Sequence, residues 1–353
     1  MTALHATLAQ IRPVHPAWVE RAAQRLDRFT KPPRSLGRLE WIAARLCAIQ
    51  ETLAPAASPR RIVIFAADHG VASEGVSAYP SIVTAQMVAN FLRGGAAINA
   101  LAEAVGAGVE VVDVGVAHHV ECSGTRAAFV ARRVAPGTRN IARGPAMTAA
   151  ELEAALQAGE DAAHAAADAG VRLFACGDMG IGNTTAASAV TAAITRSPAA
   201  RVTGPGTGID ADALARKALV ITQALRVNQP GRDPLAVLRS VGGLEIAAIV
   251  GAYLGAARRR MTIVGDGFVT TAAALIAAEL CPSFLDYWFA GHQSPEPGHL
   301  VQLEYLRQAP LLDLDLRLGE ATGAALAMPI IAAAAAMMRG MATFEEAGVA
   351  ART

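Results

Sequence analysis

Short unbroken apolar runs recur along the chain, at Ile62–Ala67, Val109–Val114, Val171–Cys176, Met261–Val264 and Leu285–Ala290. Between them lie longer stretches with apolar positions at helical spacing, over 81–104, 149–169, 183–195, 211–226, 243–258 and 267–280. Runs without polar alternation, separated by helices, predict a parallel sheet covered on both faces. The expected fold class is α/β, with a three-layer, Rossmann-like large domain. The first 58 residues read as helical, with Leu36, Leu39, Ile42, Leu46 and Ile49 at helical spacing, and a Pro/Ala/Ser linker at Ala54–Pro59 closes them. The segment from Ala321 onward returns to helix. The expected division is a small helical lobe, 1–58 plus 331–353, beside a large domain over 59–330.

Unusual residues gather where the predicted strands end. Asp68-His69-Gly70 follows the first run, Asp113-Val114-Gly115 the second and Gly177-Asp178-Met179-Gly180 the third. Gly265-Asp266-Gly267 follows the fourth and Gly291-His292-Gln293-Ser294 the fifth. Ligands of such sheets bind beyond the carboxyl ends of strands, so five such loops predict a cleft there.

Composition narrows the class. The 353 residues are 53% hydrophobic and 17% charged, enough to bury a sizeable core, and the net charge is +1. Neither a basic stripe nor interleaved aromatics point to nucleic acid. Cys47, Cys122, Cys176 and Cys281 are scattered without Cys-x-x-Cys spacing, which implies reduced thiols rather than a metal site. The N-terminus lacks the charged and apolar regions of a signal peptide. The uncharged run Ala321–Met338 is alanine-rich and interrupted by Gly323 and Pro329, so it reads as a core or interface helix rather than a membrane span. The expectation is a soluble, cytoplasmic protein with small-molecule partners.

The third strand leads into Gly177, Gly180 and Gly182 and then into a helix headed by Asn183, Thr184 and Thr185. A strand, a glycine bend and a helix N-terminus form an anion site, because the first helical amides lack internal partners. The segment has neither a P-loop Gly-Lys-Ser/Thr nor Gly-x-Gly-x-x-Gly. It reads as a mononucleotide phosphate cradle, or equally as a capped strand-to-helix turn. Only two of 31 basic residues are lysines, Lys31 and Lys217. Each is a candidate point charge for a phosphate, or a surface residue without a role. Glu320 is a lone acid ahead of the uncharged run; it serves either as a helix-terminal charge or, with its pKa raised by apolar surroundings, as a general base.

Other chemistries lack their residues. His118-His119 are adjacent and no His-Glu-x-x-His occurs, and Gly-x-Ser-x-Gly is missing. Val111-Val112-Asp113-Val114 has one acid where a diphosphate-dependent phosphoribosyltransferase would have two. Asp178, Glu245, Asp266 and Glu320 leave a glycosidase pair open.

Gly177-Asp178-Met179-Gly180-Ile181-Gly182-Asn183-Thr184-Thr185 and Leu318-Gly319-Glu320-Ala321-Thr322-Gly323 resemble the signature segments of nicotinate-nucleotide:dimethylbenzimidazole phosphoribosyltransferases. Lys31-Pro32-Pro33, Asp68-His69-Gly70, Gly242-Gly243-Leu244-Glu245, Asp266-Gly267-Phe268 and His292-Gln293-Ser294 agree in order, so the resemblance spans nearly the whole chain. It implies phosphoribosyl transfer from nicotinate mononucleotide to dimethylbenzimidazole in cobalamin nucleotide-loop assembly, with neither metal nor cofactor, by a homodimer. A related transferase for adenine, a phenol or another benzimidazole, and a non-catalytic nucleotide sensor, are the alternatives. By resemblance, Glu320 is the general base. Gly177, Asp178, Gly180, Gly182, Asn183, Thr184, Gly206, Gly208 and Lys217 hold the phosphoribosyl group, and Tyr79, Gln86, Met87, Met179 and Leu318 hold the base. Two positions depart from the family pattern: Asp178 stands where Glu is usual, and Arg34 where Gly is expected.

Overall fold

The computed structural model describes residues 2–350, apart from positions 123 and 207. Three helices open the chain: α1 (Thr2–Leu8), α2 (Pro16–Arg28) and α3 (Arg38–Gln50). Strand β1 (Arg60–Ala67) leads to α4 (Ile82–Arg93), α5 (Ala97–Ala104), β2 (Ala107–Gly115), β3 (Ala128–Ala131) and α6 (Ala149–Asp168). Then come β4 (Leu173–Met179), α7 (Asn183–Thr195), α8 (Ala199–Val202), α9 (Ala211–Asn228), α10 (Pro234–Val241) and α11 (Leu244–Arg258). The last third holds β5 (Thr262–Gly265), α12 (Phe268–Leu280), β6 (Trp288–Ala290), β7 (His292–Gln293), α13 (Pro297–Leu306), β8 (Leu312–Asp313) and α14 (Thr322–Gly340).

Six strands form one sheet in the order β3-β2-β1-β4-β5-β6, and every neighbouring pair is parallel. The chain first builds outward from β1 through β2 to β3, then returns to the other side of β1 and builds through β4 to β6. That reversal opens a crevice beyond the carboxyl ends of β1 and β4. Asp68 and His69 follow β1, and Asp178 and Met179 close β4, so the expected cleft falls at this switch point. A separate two-stranded parallel sheet pairs β7 with β8.

Helices cover the sheet because its strands are apolar on both faces. Helix α11 is buried from Leu244 to Ala257 and lies against α6. Glycine sets that approach: a Cβ on Gly251 would stand 1.9 Å from the Leu156 carbonyl oxygen. The apolar length of α14 would suffice to cross a bilayer. Its Ala324, Ala325, Met328, Ile331 and Ala335 are instead buried, and the helix packs on α3, α5, β4 and β5. The two ends of the chain meet where Thr30 N–H donates to the Ala342 carbonyl at 3.1 Å and Phe344 N–H to that of Arg28 at 3.0 Å.

Several expected elements differ in detail. The helical stretch 81–104 is two helices, because Gly94 takes a left-handed φ of 83° and ends α4. Leu36 is exposed and precedes α3 rather than joining its buried face. Strand β3 is a four-residue edge strand with no fully buried position, too short for periodicity to reveal.

Candidate active site

A cleft of about 570 Å³ opens at the carboxyl edge of the sheet. Tyr79, Met87, Asp178, Met179, Gly180, Asn183, Thr184, Gly206, Leu318 and Glu320 all line it. The wall from β4 forms because the strand ends in a bend tight against β1. A Cβ on Gly180 would come within 2.1 Å of the Ala67 carbonyl oxygen, and Gly182, at φ 98°, is the N-cap of α7. The Gly182 N-cap makes no side-chain cap bond. Yet Ile181 N–H donates to Thr84 Oγ1 at 3.1 Å, Asn183 N–H to the Gly180 carbonyl at 3.1 Å and Thr185 N–H to that of Gly182 at 3.0 Å. An anion at this positive end of the dipole would therefore meet chiefly the Thr184 amide and hydroxyl.

Beneath the bend, His69 Nε2 donates to Glu245 Oε1 across 2.7 Å, with both side chains buried. Burial, the largest single influence, disfavours the imidazolium, but the charge and hydrogen bond of Glu245 together with the charge of Asp68 outweigh it and hold the His69 pKa above its ordinary value. His69 lies against the bend: a Cβ on Gly180 would stand 3.3 Å from the His69 ring carbon Cδ2, and one on Gly182 would stand 3.1 Å from the His69 Cβ.

Lys217 reaches the cradle from α9. Its buried Nζ donates to Thr184 Oγ1 at 2.8 Å and to the Gly204 carbonyl at 3.1 Å. Burial lowers its pKa to about 8, with Glu296 opposing the shift. The ammonium is therefore charged at neutral pH and sits behind the threonine that faces the cleft. Glu296 Oε1 accepts the Gly206 N–H at 2.9 Å and fixes the turn that carries Gly206 and Gly208. Position 207 of that turn lies outside the described residues.

Across the cleft, Glu320 sits just ahead of α14 with φ 62°. It is buried, and its Oε2 has no hydrogen-bond partner among the described residues. Burial raises its pKa to about 7, with the charge of Asp266 adding to the shift. Asp178 accepts the Asn183 side-chain amide at 2.7 Å. Burial, and then the charges of Asp266, Glu245 and Glu320, push its carboxyl well above the usual range. Three carboxyls, Asp178, Glu296 and Glu320, thus line the cleft. The first two accept hydrogen bonds from Asn183 and Gly206, and Glu320 can take a proton near neutral pH.

Not every expected position lines the cleft. Gly177 is buried within β4 and backs the Glu320 main chain. Gly182 lies behind the bend, Gly208 is exposed on its turn outside the cleft lining, and Gln86 is exposed on α4. Val83 and Met87, four residues apart, share the helical face that meets the cleft, and Gln86 points about 100° away from Met87. Lys31 is spent elsewhere, in a 2.8 Å buried pair with Glu40. Conversely, His292, Ser294, Glu296, Phe268 and Arg317 contribute walls that the residue pattern did not assign. Their signal was position, since His292 and Ser294 follow the fifth apolar run and Phe268 the fourth.

Comparison with known proteins decides the family. The phosphoribosyltransferase family model DBI_PRT matches residues 11–349. The nicotinate-nucleotide–dimethylbenzimidazole phosphoribosyltransferase of Geobacter metallireducens is 53% identical over 350 residues, covering 99% of this chain and 98% of that one. The chain belongs to the nicotinate-nucleotide–dimethylbenzimidazole phosphoribosyltransferase family. The Thermus thermophilus member is 52% identical over 328 residues, covering 93% of this chain and 97% of its own. A crystal structure described as CobT from Thermus thermophilus superposes with a TM-score of 0.91 at 51% identity, covering 96% of this chain and 100% of that chain. Both signature segments of this phosphoribosyltransferase family meet across the cleft: the first supplies its floor from β4 and α7, the second its opposite wall before α14.

Proposed function

We propose that the chain transfers 5-phosphoribose from nicotinate mononucleotide to 5,6-dimethylbenzimidazole, forming α-ribazole 5′-phosphate and nicotinate. The observation that carries this reading is the Glu320 carboxyl, buried, unpartnered among the described residues and with a pKa near 7, opposite a helix N-terminus backed by Lys217.

The chemistry follows from the substrates. The glycosidic nitrogen of the mononucleotide is already a pyridinium, so its electron pair returns to a neutral ring on departure without an acid. One benzimidazole nitrogen bonds to the anomeric carbon from the opposite face as the pyridinium bond breaks, which inverts the centre from β to α. The other benzimidazole nitrogen releases its proton to Glu320. A positioned base contributes roughly 10²–10⁴-fold, and alignment of the two substrates supplies much of the remainder.

In this reading the phosphate docks at the Gly180–Thr184 bend on the Thr184 amide and hydroxyl, since the Ile181 and Asn183 amides are already bonded within the protein. Lys217 charges the Thr184 side of the cradle. Asp178, which lines the cleft beside Asn183, would contact the ribose. Tyr79, Met87, Met179 and Leu318 form the apolar wall for the base, while Gln86 is left out because it does not line the cleft. Tyr79 and Leu318 are 54% and 57% exposed at the mouth, which supports a homodimer in which a second copy covers them. The free cysteines support a reducing, cytoplasmic setting. Residues 59–330 would form the catalytic domain and 1–58 with 331–353 the smaller lobe.

The test is Glu320→Gln, assayed for nicotinate release and for mononucleotide binding by calorimetry. Retained binding with turnover lowered at least ~100-fold supports the reading. Near wild-type turnover removes Glu320 as the base.

A further inference from the structure

Glu320 and Ala321 are consecutive non-glycine residues in the left-handed region, at φ 62° and 67°. That conformation is strained for an L-residue and persists only where the surroundings impose it. Ala321 is also the N-cap of α14, and its methyl side chain caps nothing. A nineteen-residue helix thus begins, beside the candidate base, without a local cap.

The missing cap comes from 55 residues earlier. Asp266 follows β5 and is almost wholly buried. Its Oδ2 accepts the Ala321 N–H at 3.1 Å, and its Oδ1 accepts those of Gly323 at 2.8 Å and Ala324 at 3.0 Å. Three amides and the positive end of the helix dipole converge on one carboxylate. From the other side, β4 presses on the same strap: a Cβ on Gly177 would stand 2.7 Å from the Glu320 carbonyl carbon. The Glu320 backbone is therefore clamped between a strand and a remote cap, and its side chain lines the cleft.

We propose that Asp266 is a positioning residue, whose bonds to the head of α14 enforce the left-handed Glu320–Ala321 conformation and so aim the Glu320 carboxyl at the base substrate. This rests on the reading of Glu320 as the base. Asp266 touches neither substrate in this role. It acts through the three amides, at the carboxyl end of a fully buried interior strand.

The experiment is Asp266→Asn, alone, with Glu320→Gln and with Ala321→Gly. The amide keeps the size but presents an NH₂ where an N–H must be accepted. A misplaced base predicts kcat lower by about 10²-fold, with KM for nicotinate mononucleotide within about threefold of wild type. Glycine tolerates the left-handed region without strain, so Ala321→Gly should return at least about a tenth of the lost kcat in the Asp266→Asn chain. In the Glu320→Gln background, Asp266→Asn should lower kcat by no more than about twofold, since it acts through the side chain already removed. If Glu320→Gln abolishes turnover while Asp266→Asn leaves kcat unchanged, the positioning role fails and the base assignment stands. If Glu320→Gln retains turnover, the base assignment itself fails. An Asp266→Asn chain that does not fold, and that Ala321→Gly does not restore, also overturns the proposal, because the aspartate would then hold the fold rather than the glutamate.

Discussion

Gly177 has no side chain at the point where the Glu320 main chain crosses β4, and a Cβ there would lie 2.7 Å from the Glu320 carbonyl carbon and 2.9 Å from the Ala321 nitrogen. Backbone, unlike a flexible side chain, cannot swing aside. Gly177→Ala should therefore push the strap off the strand and misplace the base. The expected result is a loss of kcat of about 10²-fold and a stability decrease of about 1–3 kcal/mol. Steady-state kinetics and thermal denaturation of the variant check both.

The raised pKa of Glu320 sets the acid side of the pH profile. A base must be unprotonated, so kcat should fall about tenfold per pH unit below about pH 7. Substrate binding will move the midpoint, but Glu320→Gln should remove this limb entirely from whatever turnover remains. A pH series of kcat for both proteins decides it.

The same shift predicts a stability effect of opposite pH sense. The folded Glu320 pKa of about 7 lies above its ordinary 4.5, so the folded state binds the proton more tightly. Stability associated with this group is full below about pH 4.5 and falls as pH rises towards about 7, by up to ~3 kcal/mol. Glu320→Gln has no charge to bury. Its Tm relative to wild type should be higher at about pH 8 than at about pH 5, and an equal difference at both pH values would contradict the assignment.

Lys217 sets the opposite limb. Its ammonium has a pKa of about 8, so charge is lost from the cradle as pH rises beyond that value. The KM for nicotinate mononucleotide should increase above about pH 8 while kcat changes less. Lys217→Arg should not substitute, because the planar guanidinium is too large for a buried site filled by Thr184 and the Gly204 carbonyl. An arginine variant with wild-type KM would show that the cradle needs only a charge.

Arg34 occupies a left-handed position, φ 61°, in the turn that precedes α3. The turn before α3 therefore asks an L-residue to adopt a conformation suited to glycine. Arg34→Gly should stabilise the protein by up to about 1 kcal/mol, the relief of strain being partly offset by greater chain entropy in the unfolded state. Chemical denaturation at constant m-value tests it.

Features governed by local pattern were legible beforehand. The helix Asn183–Thr195 begins and ends where its periodicity and glycine bend place it, and β1, β2, β4 and β5 coincide with apolar runs. Gly94 was present in the sequence as a stop signal, yet apolar spacing on both sides of it suggested one helix. Edge strand β3, half-exposed and four residues long, carried too little pattern to register.

The sequence by itself determined the α/β class, the carboxyl-edge cleft and, through motif resemblance, Glu320, Asp178 and Lys217 as its polar groups. These depend on periodicity and on residue types at short spacing, which a linear chain displays. Only the tertiary structure decided that Gly177 makes room for Glu320 rather than facing a phosphate, that Gln86 points away, and that Lys31 is taken by Glu40. It alone joined Asp266 to the amides of Ala321, Gly323 and Ala324. Those relationships arise from close approach between segments far apart along the chain, and hydrogen bonds and steric contacts depend on distance in space, which spacing along the chain does not encode.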